Sequence, residues 1–181
     1  RPCAGAHEHL ERALASTASL AGTPKLSVVL AVRDAADRAA PVARRACVEL
    51  ARAGLDVRLV WTGAPGPNRK IGQLAVALAA APRAAAIVIA DADVELDRAT
   101  VDDLLATLGT GAGASWAAPI EPRPASLADR ASAAVLDSSL HAFPLLAALD
   151  ARGMGGKLVA VRRTALERAG GITSALDSGP I

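Results

Sequence analysis

The chain has 181 residues, of which 52% are hydrophobic and 21% are charged, and this composition excludes an intrinsically disordered protein. Its 20 basic and 18 acidic residues give a formal net charge of +2, which is too balanced for a protein that binds long polyanions. Aromatic residues make up only 2% of the chain, so it lacks the rings on which single-stranded nucleic acids stack.

Membrane and disulfide signals are weak in this sequence. No apolar run reaches the roughly 18 residues that a membrane-spanning helix needs, and no signal peptide opens the chain. Cys3 and Cys47 lie far apart, without a second cysteine or histidine at metal-ligand spacing. We therefore expect no transmembrane segment within the chain and two free thiols in a reducing compartment.

Hydrophobic periodicity divides the chain into alternating strands and helices. Apolar runs predict strands over residues 26–32, 56–61, 85–90, 115–120 and 157–161. Helical patterns before, between and after them predict helices over residues 7–19, 41–53, 71–81, 101–108, 127–151 and 164–169. This alternation is typical of an α/β fold with a mixed but mainly parallel sheet flanked by helices, here as a single domain over residues 1–181.

The most informative motif follows the third predicted strand. Asp91 and Asp93 come directly after the apolar run 87–90. Since alternate residues of a strand point to the same side, the two carboxylates are expected to face one point. A hard divalent cation suits such a pair and often connects it to substrate phosphates. The alternative is a polar turn at the end of a strand, because short acidic motifs also occur by chance.

Polar residues at other strand ends strengthen the prediction of a site. In open α/β sheets, ligands bind outside the carboxyl ends of the strands. Asp34 follows the first predicted strand, and a loop rich in glycine and proline follows Trp61 at the end of the second. Together with Asp91 and Asp93, these loops are expected to line one cleft.

Four segments in this order resemble the ceramide glucosyltransferase family and the bacterial hopanoid-biosynthesis glycosyltransferases. They are residues 32–34, 66–70, 91–93 and 153–163, the last followed by Gly170 and Gly171. Residues 1–14 are similar to the stretch that follows the first strand in that family. The resemblance implies a GT-A fold, with a nucleotide-binding half over residues 1–110 and an acceptor-side half over residues 111–181.

The resemblance also implies roles for particular residues. Asp34 would contact the base of the nucleotide, whereas its alternative is a loop carboxylate that caps the next helix. Asn68, Arg69 and Lys70 would bind the pyrophosphate at a helix start, and their alternative is a solvated turn. Asp91 would lie toward the sugar and ribose, and Asp93 toward the metal.

The glycine-rich loop and the reaction complete the expectations from the resemblance. Gly155 and Gly156 would let the backbone approach the donor sugar, with a flexible loop as the alternative. The implied enzyme is a metal-dependent inverting glycosyltransferase that uses Mn²⁺ or Mg²⁺, a UDP-sugar donor (UDP-glucose or UDP-N-acetylhexosamine) and a lipid acceptor. It would act on the cytoplasmic side of a membrane and contact that membrane through flanking segments.

The sequence departs from the family pattern in its acceptor half. The family's acidic pair, which supplies the catalytic base, and its Arg-Trp motif are expected beyond Ile181, and Asp177 is the nearest carboxylate to that position. The first strand of the fold is expected ahead of Arg1. A catalytically incomplete nucleotide-sugar-binding module is therefore the alternative function, and we expect this chain to bind donor without transferring sugar. A phosphatase of the haloacid-dehalogenase type is disfavoured, because its Asp-x-Asp lies on the first strand.

Overall fold

A computed structural model describes most of the chain. It covers residues 1–5, 9–63, 68–81, 83–118, 120, 126–139, 142, 145, 149, 156–172 and 174. The described residues form an α/β fold with flanking helices, as the alternating pattern predicted, and their strands form two three-stranded sheets. No helix among the described residues is long and apolar enough to cross a membrane.

The first sheet is parallel and has the order β1-β2-β3. Its strands are β1 (Pro2–Cys3), β2 (Ser27–Val32) and β3 (Asp56–Trp61). Pro2 and Cys3 of β1 pair with Ala31 and Val32 of β2, so the stretch 1–14, expected to follow a strand, begins with a short strand of its own. All three strands end at the same edge, which is the edge where ligands bind in parallel sheets.

The second sheet is antiparallel, so the six strands form one parallel and one antiparallel sheet, where the sequence predicted a single mixed but mainly parallel sheet. Its order is β4-β6-β5, formed by β4 (Ala86–Ala90), β5 (Ala114–Ala117) and β6 (Leu158–Arg162). The register pairs Ala90 at the end of β4 with Leu158 at the start of β6. Since an antiparallel partner begins where its neighbour ends, β6 brings its first residues to the edge that carries Asp91 and Asp93.

Most helices begin and end within three residues of the predicted bounds, but the predicted helix 127–151 is described as a continuous helix only as far as residue 139, and most of residues 140–151 lie outside the described part of the chain. The helices are α1 (Leu10–Ala15), α2 (Ala40–Arg52), α3 (Arg69–Ala80), α4 (Arg98–Gly109), α5 (Leu127–Ser139) and α6 (Arg163–Arg168). The predicted helix 7–19 is divided into α1 and a 3₁₀ turn, Ser16–Leu20. The side chains of Asn68 and Asp97 accept hydrogen bonds from backbone amides in the first turns of α3 and α4, which satisfies donors that a helix start leaves open.

Two clusters of buried side chains hold these layers together. The first packs α1 and α2 on β2 through leucine, valine and small residues: Cys3, Leu10, Leu14, Leu30, Val32, Ala39, Ala40, Ala43 and Ala46. The second packs α4 on β4 and β6: Leu20, Ala90, Leu96, Val101, Leu104, Leu108, Leu158 and Ala160. The many alanines let helix backbones lie close to the sheets, so a chain with few aromatic residues still builds a core.

Two details of the packing differ from the sequence prediction. Helical periodicity predicts an inward stripe of Val42, Ala46, Leu50 and Ala53 for α2. The buried residues of α2 are Ala40, Ala43, Ala46 and Leu50, and Val42 packs against the same core while only partly buried. A tryptophan at the end of a predicted strand is expected to pack against the sheet. Trp61 is instead 42% exposed, and the Arg44 guanidinium lies 5.2 Å from the centre of its ring. A cation above the indole face is a favourable arrangement for a partly exposed tryptophan.

Candidate functional site

The loop after β2 is built around Asp34. Its Oδ2 accepts a hydrogen bond from Arg33 Nε at 2.8 Å, and its Oδ1 accepts bonds from the backbone amides of Ala36 and Asp37, both at 2.9 Å. The hydrogen bond from Arg33 is the largest cause that lowers the pKa of the Asp34 carboxyl, and the two amides add to it. Asp34 is thus a charged residue that orders its own loop at the edge where the parallel strands end.

Asp37, which the sequence analysis did not single out, ties neighbouring loops together. Its side chain is buried, and Oδ1 accepts hydrogen bonds from the amides of Gly5 and Ala39, both at 2.9 Å. The segment after β1 is therefore fixed to the segment before α2. In the same region, the amides of Thr62 and Gly63 bond to the carbonyls of Val32 and Arg33, which joins the ends of β2 and β3.

The start of α3 supplies three of the predicted site residues. Asn68 is the N-cap, and its Oδ1 accepts a hydrogen bond from the Ile71 amide at 3.2 Å. Arg69 is exposed, and no ion pair or hydrogen bond of its side chain joins it to another described residue. Lys70 turns toward the second sheet, where its Nζ lies 2.6 Å from Asp91 Oδ1 and donates to the Gly156 carbonyl at 3.1 Å.

Asp91 and Asp93 are each neutralised by a different lysine. The Asp91 side chain is 20% exposed, and its Oδ1 is buried. This oxygen forms an ion pair with Lys70 but accepts no well-aligned hydrogen bond. Asp93 is 40% exposed and forms an ion pair with Lys157, the residue before β6. The Asp91 amide also donates to the Lys157 carbonyl at 2.9 Å, which continues the ladder between β4 and β6. Predicted residues 70, 91 and 156 thus lie together, and Lys157 joins them through Asp93.

The Arg1 side chain binds the backbone of the Asp-x-Asp turn. Its Nη2 donates to the carbonyls of Asp91 and Val94, at 2.9 Å and 2.6 Å, and its Nη1 donates to Thr17 Oγ1 at 2.9 Å. Burial lowers the pKa of the Arg1 guanidinium to about 10, against the opposing charges of Asp93 and Asp91. The guanidinium stays charged at neutral pH and fixes both ends of the turn.

A divalent cation fits the donor set of this turn. The buried Asp91 Oδ1 has no hydrogen-bond donor, and Asp93 presents a second carboxylate in an exposed position. Among the described residues no group of three or more cysteine, histidine or acidic side chains forms a closed cage. An ion of the Mg²⁺ type needs only one or two carboxylates, because substrate phosphates and water complete its coordination shell.

Several predicted residues lie outside the described part of the chain. Gly66 and Pro67 precede Asn68, Gly155 precedes Gly156, and Asp177 lies near the end. Asp34 has no described contact with the residues of the Lys70 and Asp91 group. Of the residues that sequence reasoning missed, Lys157 had a signal, because it directly follows the glycine-rich segment. Arg1 also had one, because it begins the stretch 1–14 that resembles the family.

Comparison with known proteins identifies the family. The profile of glycosyl transferase family 21 matches residues 1–178, nearly the whole chain. No curated protein and no solved structure matches the sequence. The family supports glycosyl transfer to a lipid-type acceptor in general terms, and the α/β fold with polar strand ends is consistent with a GT-A-like domain. The chain therefore belongs to glycosyl transferase family 21 and is a glycosyltransferase domain.

Proposed function

We propose that this domain binds a UDP-sugar with the help of Mn²⁺ or Mg²⁺ and transfers the sugar to a lipid with inversion. The observation that carries the proposal is the cluster of alternating charges where α3, β4 and β6 meet. Lys70 pairs with Asp91 and Lys157 with Asp93, where β4 ends and β6 begins. Such a cluster suits a ligand that itself combines negative phosphates with a bound cation.

The balance of charges favours a divalent ion. The two lysines cancel the two aspartates, so these four residues offer no net charge to a donor that carries a diphosphate. Arg69 at the start of α3 and the Arg1 guanidinium at the Asp-x-Asp turn each add one positive charge, still less than the diphosphate of the leaving UDP carries. An ion held by Asp93, with Asp91 beside it, would supply the missing charge and stabilise the leaving UDP. The donor's diphosphate would complete the coordination of that ion.

The remaining predicted residues fit the parts of a nucleotide. The open first turn of α3, with Asn68 as its cap and Arg69 exposed, suits an anion near a helix start. Asp34 carries a fixed negative charge at the end of β2, which suits an acceptor for the N–H of a base. The Gly156 carbonyl accepts a hydrogen bond from Lys70, and this glycine would lie on the side toward the sugar. Because Lys70 contacts both Asp91 and Gly156, it sets the spacing between the metal side and the sugar side.

Calorimetry of UDP binding tests the proposal. We expect UDP to bind at least tenfold more tightly with Mn²⁺ than with EDTA, because the ion bridges Asp93 to the diphosphate. Asp93→Ala should remove this dependence. Asp56→Ala, which removes an exposed carboxylate at the other end of β3, is the matched control and should keep it. Equal UDP affinity with and without the ion in the unsubstituted chain would contradict the proposal.

A further inference from the structure

Lysine is rare in this chain, and two of its three lysines are at the Asp-x-Asp turn. Lys25, Lys70 and Lys157 are the lysines, while the other 17 basic residues are arginine. Lysine carries a compact charge on a flexible stem, whereas arginine binds carboxylates through a rigid planar fork. A lysine can therefore move from one oxygen to another with little rearrangement, which makes its placement beside both aspartates informative.

The two lysines are held differently. Lys70 has two partners, Asp91 Oδ1 and the Gly156 carbonyl, and the Asp91 side chain is largely buried. In the Lys157–Asp93 pair both side chains are well exposed, at 47% and 40%. Exposed ion pairs are weak and are easily replaced by other ions. The Lys157–Asp93 pair is thus the one that a ligand can open.

The backbone of Lys157 stays in place when its side chain moves. Its carbonyl accepts a hydrogen bond from the Asp91 amide, and the next residue, Leu158, is buried and paired with Ala90. The start of β6 therefore keeps its register with the end of β4. Only the four-carbon side chain of Lys157 has to turn for its ammonium to leave Asp93.

We propose that Lys157 is a diphosphate-binding residue whose ammonium is paired with Asp93 until a donor and its metal ion bind. In the structure its ammonium neutralises Asp93, and when a divalent cation binds Asp93, the ammonium would turn to the phosphates of the donor. This role rests on the proposed function, since it requires a metal ion and a diphosphate at the same turn. The ion and the lysine thus change places at Asp93, which keeps the carboxylate neutralised in both states.

The exchange predicts opposite effects of one substitution. Lys157→Met removes the cation that competes for Asp93, so Mn²⁺ alone should bind about two- to fivefold more tightly. The same variant loses a charge-assisted hydrogen bond to the diphosphate, so UDP in saturating Mn²⁺ should bind about tenfold more weakly. A residue that only stabilises the loop would weaken both kinds of binding.

The experiment compares three variants of the whole chain. Free Mn²⁺ is measured by electron paramagnetic resonance without nucleotide, and UDP affinity is measured by calorimetry in saturating Mn²⁺. Lys157→Arg should restore most of the UDP affinity, while Lys25→Asn, which removes an exposed lysine at a positive φ that asparagine tolerates, should change neither value. Circular dichroism and thermal unfolding verify that each variant is folded.

The outcomes separate this inference from the proposed function. Tighter Mn²⁺ binding together with weaker UDP binding by Lys157→Met supports the exchange. UDP binding that depends on Mn²⁺ but is unaffected by Lys157→Met overturns the role of Lys157 alone. Failure of the unsubstituted chain to bind UDP in Mn²⁺ overturns the proposed function and this role with it. Parallel losses of both affinities show a structural role for Lys157 and also overturn the exchange.

Discussion

Lys70 Nζ lies 2.6 Å from Asp91 Oδ1 and thereby joins the first turn of α3 to the end of β4. The same ammonium donates to the Gly156 carbonyl just before β6, so one side chain links three segments that are distant in sequence. The carboxylate is partly buried, and no hydrogen bond satisfies its Oδ1. The ion pair is therefore part of the structure as well as of the proposed binding site.

Removal of Lys70 should destabilise the domain through Asp91. Lys70→Met leaves a buried carboxylate oxygen without its cation, and we expect the free energy of unfolding to fall by about 1 kcal/mol. Asp91→Asn removes the charge that needs compensation, so the double variant should lose less than the sum of the two single variants. Urea unfolding of the four proteins gives the coupling energy.

Arg69→Met is the control for this cycle, because its side chain is exposed and adjacent to Lys70 in sequence. Its effect should stay within about 0.5 kcal/mol, as is usual for exposed positions. Strict additivity of Lys70→Met and Asp91→Asn would show that the two charges do not stabilise each other.

The Arg1 contact depends on a buried hydroxyl. Thr17 Oγ1 accepts a hydrogen bond from Arg1 Nη1 at 2.9 Å, and the side chain is only 1% exposed. Thr17→Val keeps the shape but leaves the guanidinium donor without its acceptor, which should cost about 1–3 kcal/mol. Thr17→Ser retains the hydroxyl and should cost less. Thermal unfolding measures both, and a smaller loss for valine than for serine would contradict the role of the hydroxyl.

The positions of secondary structure were largely predictable, whereas the pairing of the last strand was not. Apolar runs and helix breakers located β3 at its observed bounds and placed β2 and β4 within one residue of theirs. A strand's apolar pattern carries no information about direction, so the predicted mixed but mainly parallel sheet left the direction and the partner of β6 open. Its antiparallel register depends on packing between residues far apart in sequence.

Strand pairing between distant parts of the sequence also explains why Lys157 was missed as a site residue. Asp91, Asp93 and Lys70 stand in motifs that local sequence reveals. Lys157 reaches Asp93 only because β6 pairs antiparallel with β4, which no local pattern indicates. The buried face of α2 shows a further limit of prediction from sequence. Helical periodicity located this face to within one position, but it did not indicate that Ala43 is buried more fully than Val42. Close approach of the helix to the sheet favours the smaller side chain there.

The two cysteines should react at different rates with thiol reagents. Both are free, and Cys3 is fully buried, whereas Cys47 is partly exposed on α2. Burial is the main cause that raises the pKa of both thiols, and it also closes the path of a reagent to Cys3. Ellman's reagent should therefore modify Cys47 slowly in the folded protein and Cys3 only on unfolding. Cys47→Ser should abolish the native reaction, and a remaining fast phase would contradict the burial of Cys3.

The charge of Asp34 should make the stability of the domain depend on pH in acid. The pKa of its carboxyl is lowered in the folded state, first by the hydrogen bond from Arg33 and then by the amides of Ala36 and Asp37. A lowered folded pKa means that the carboxylate stabilises the fold above the unfolded pKa of about 3.9, and that this contribution disappears as the pH falls through the folded value. Asp34→Asn should thus be less stable than the parent at pH 7.

The difference between the two proteins should shrink below pH 4 and vanish once the parent's carboxyl is protonated in both states. Urea unfolding over this range measures the difference, and a carbon NMR titration reads the pKa of Asp34 directly. Arg33→Ala removes the hydrogen bond that lowers this pKa most and should return the pKa toward its usual value. A stability difference that stays constant down to pH 3 would contradict the shift. Because the carboxylate stays charged well below neutrality, a contact of Asp34 with a nucleotide base should be insensitive to pH from 8 to 5, so any loss of UDP affinity in that interval has to arise elsewhere.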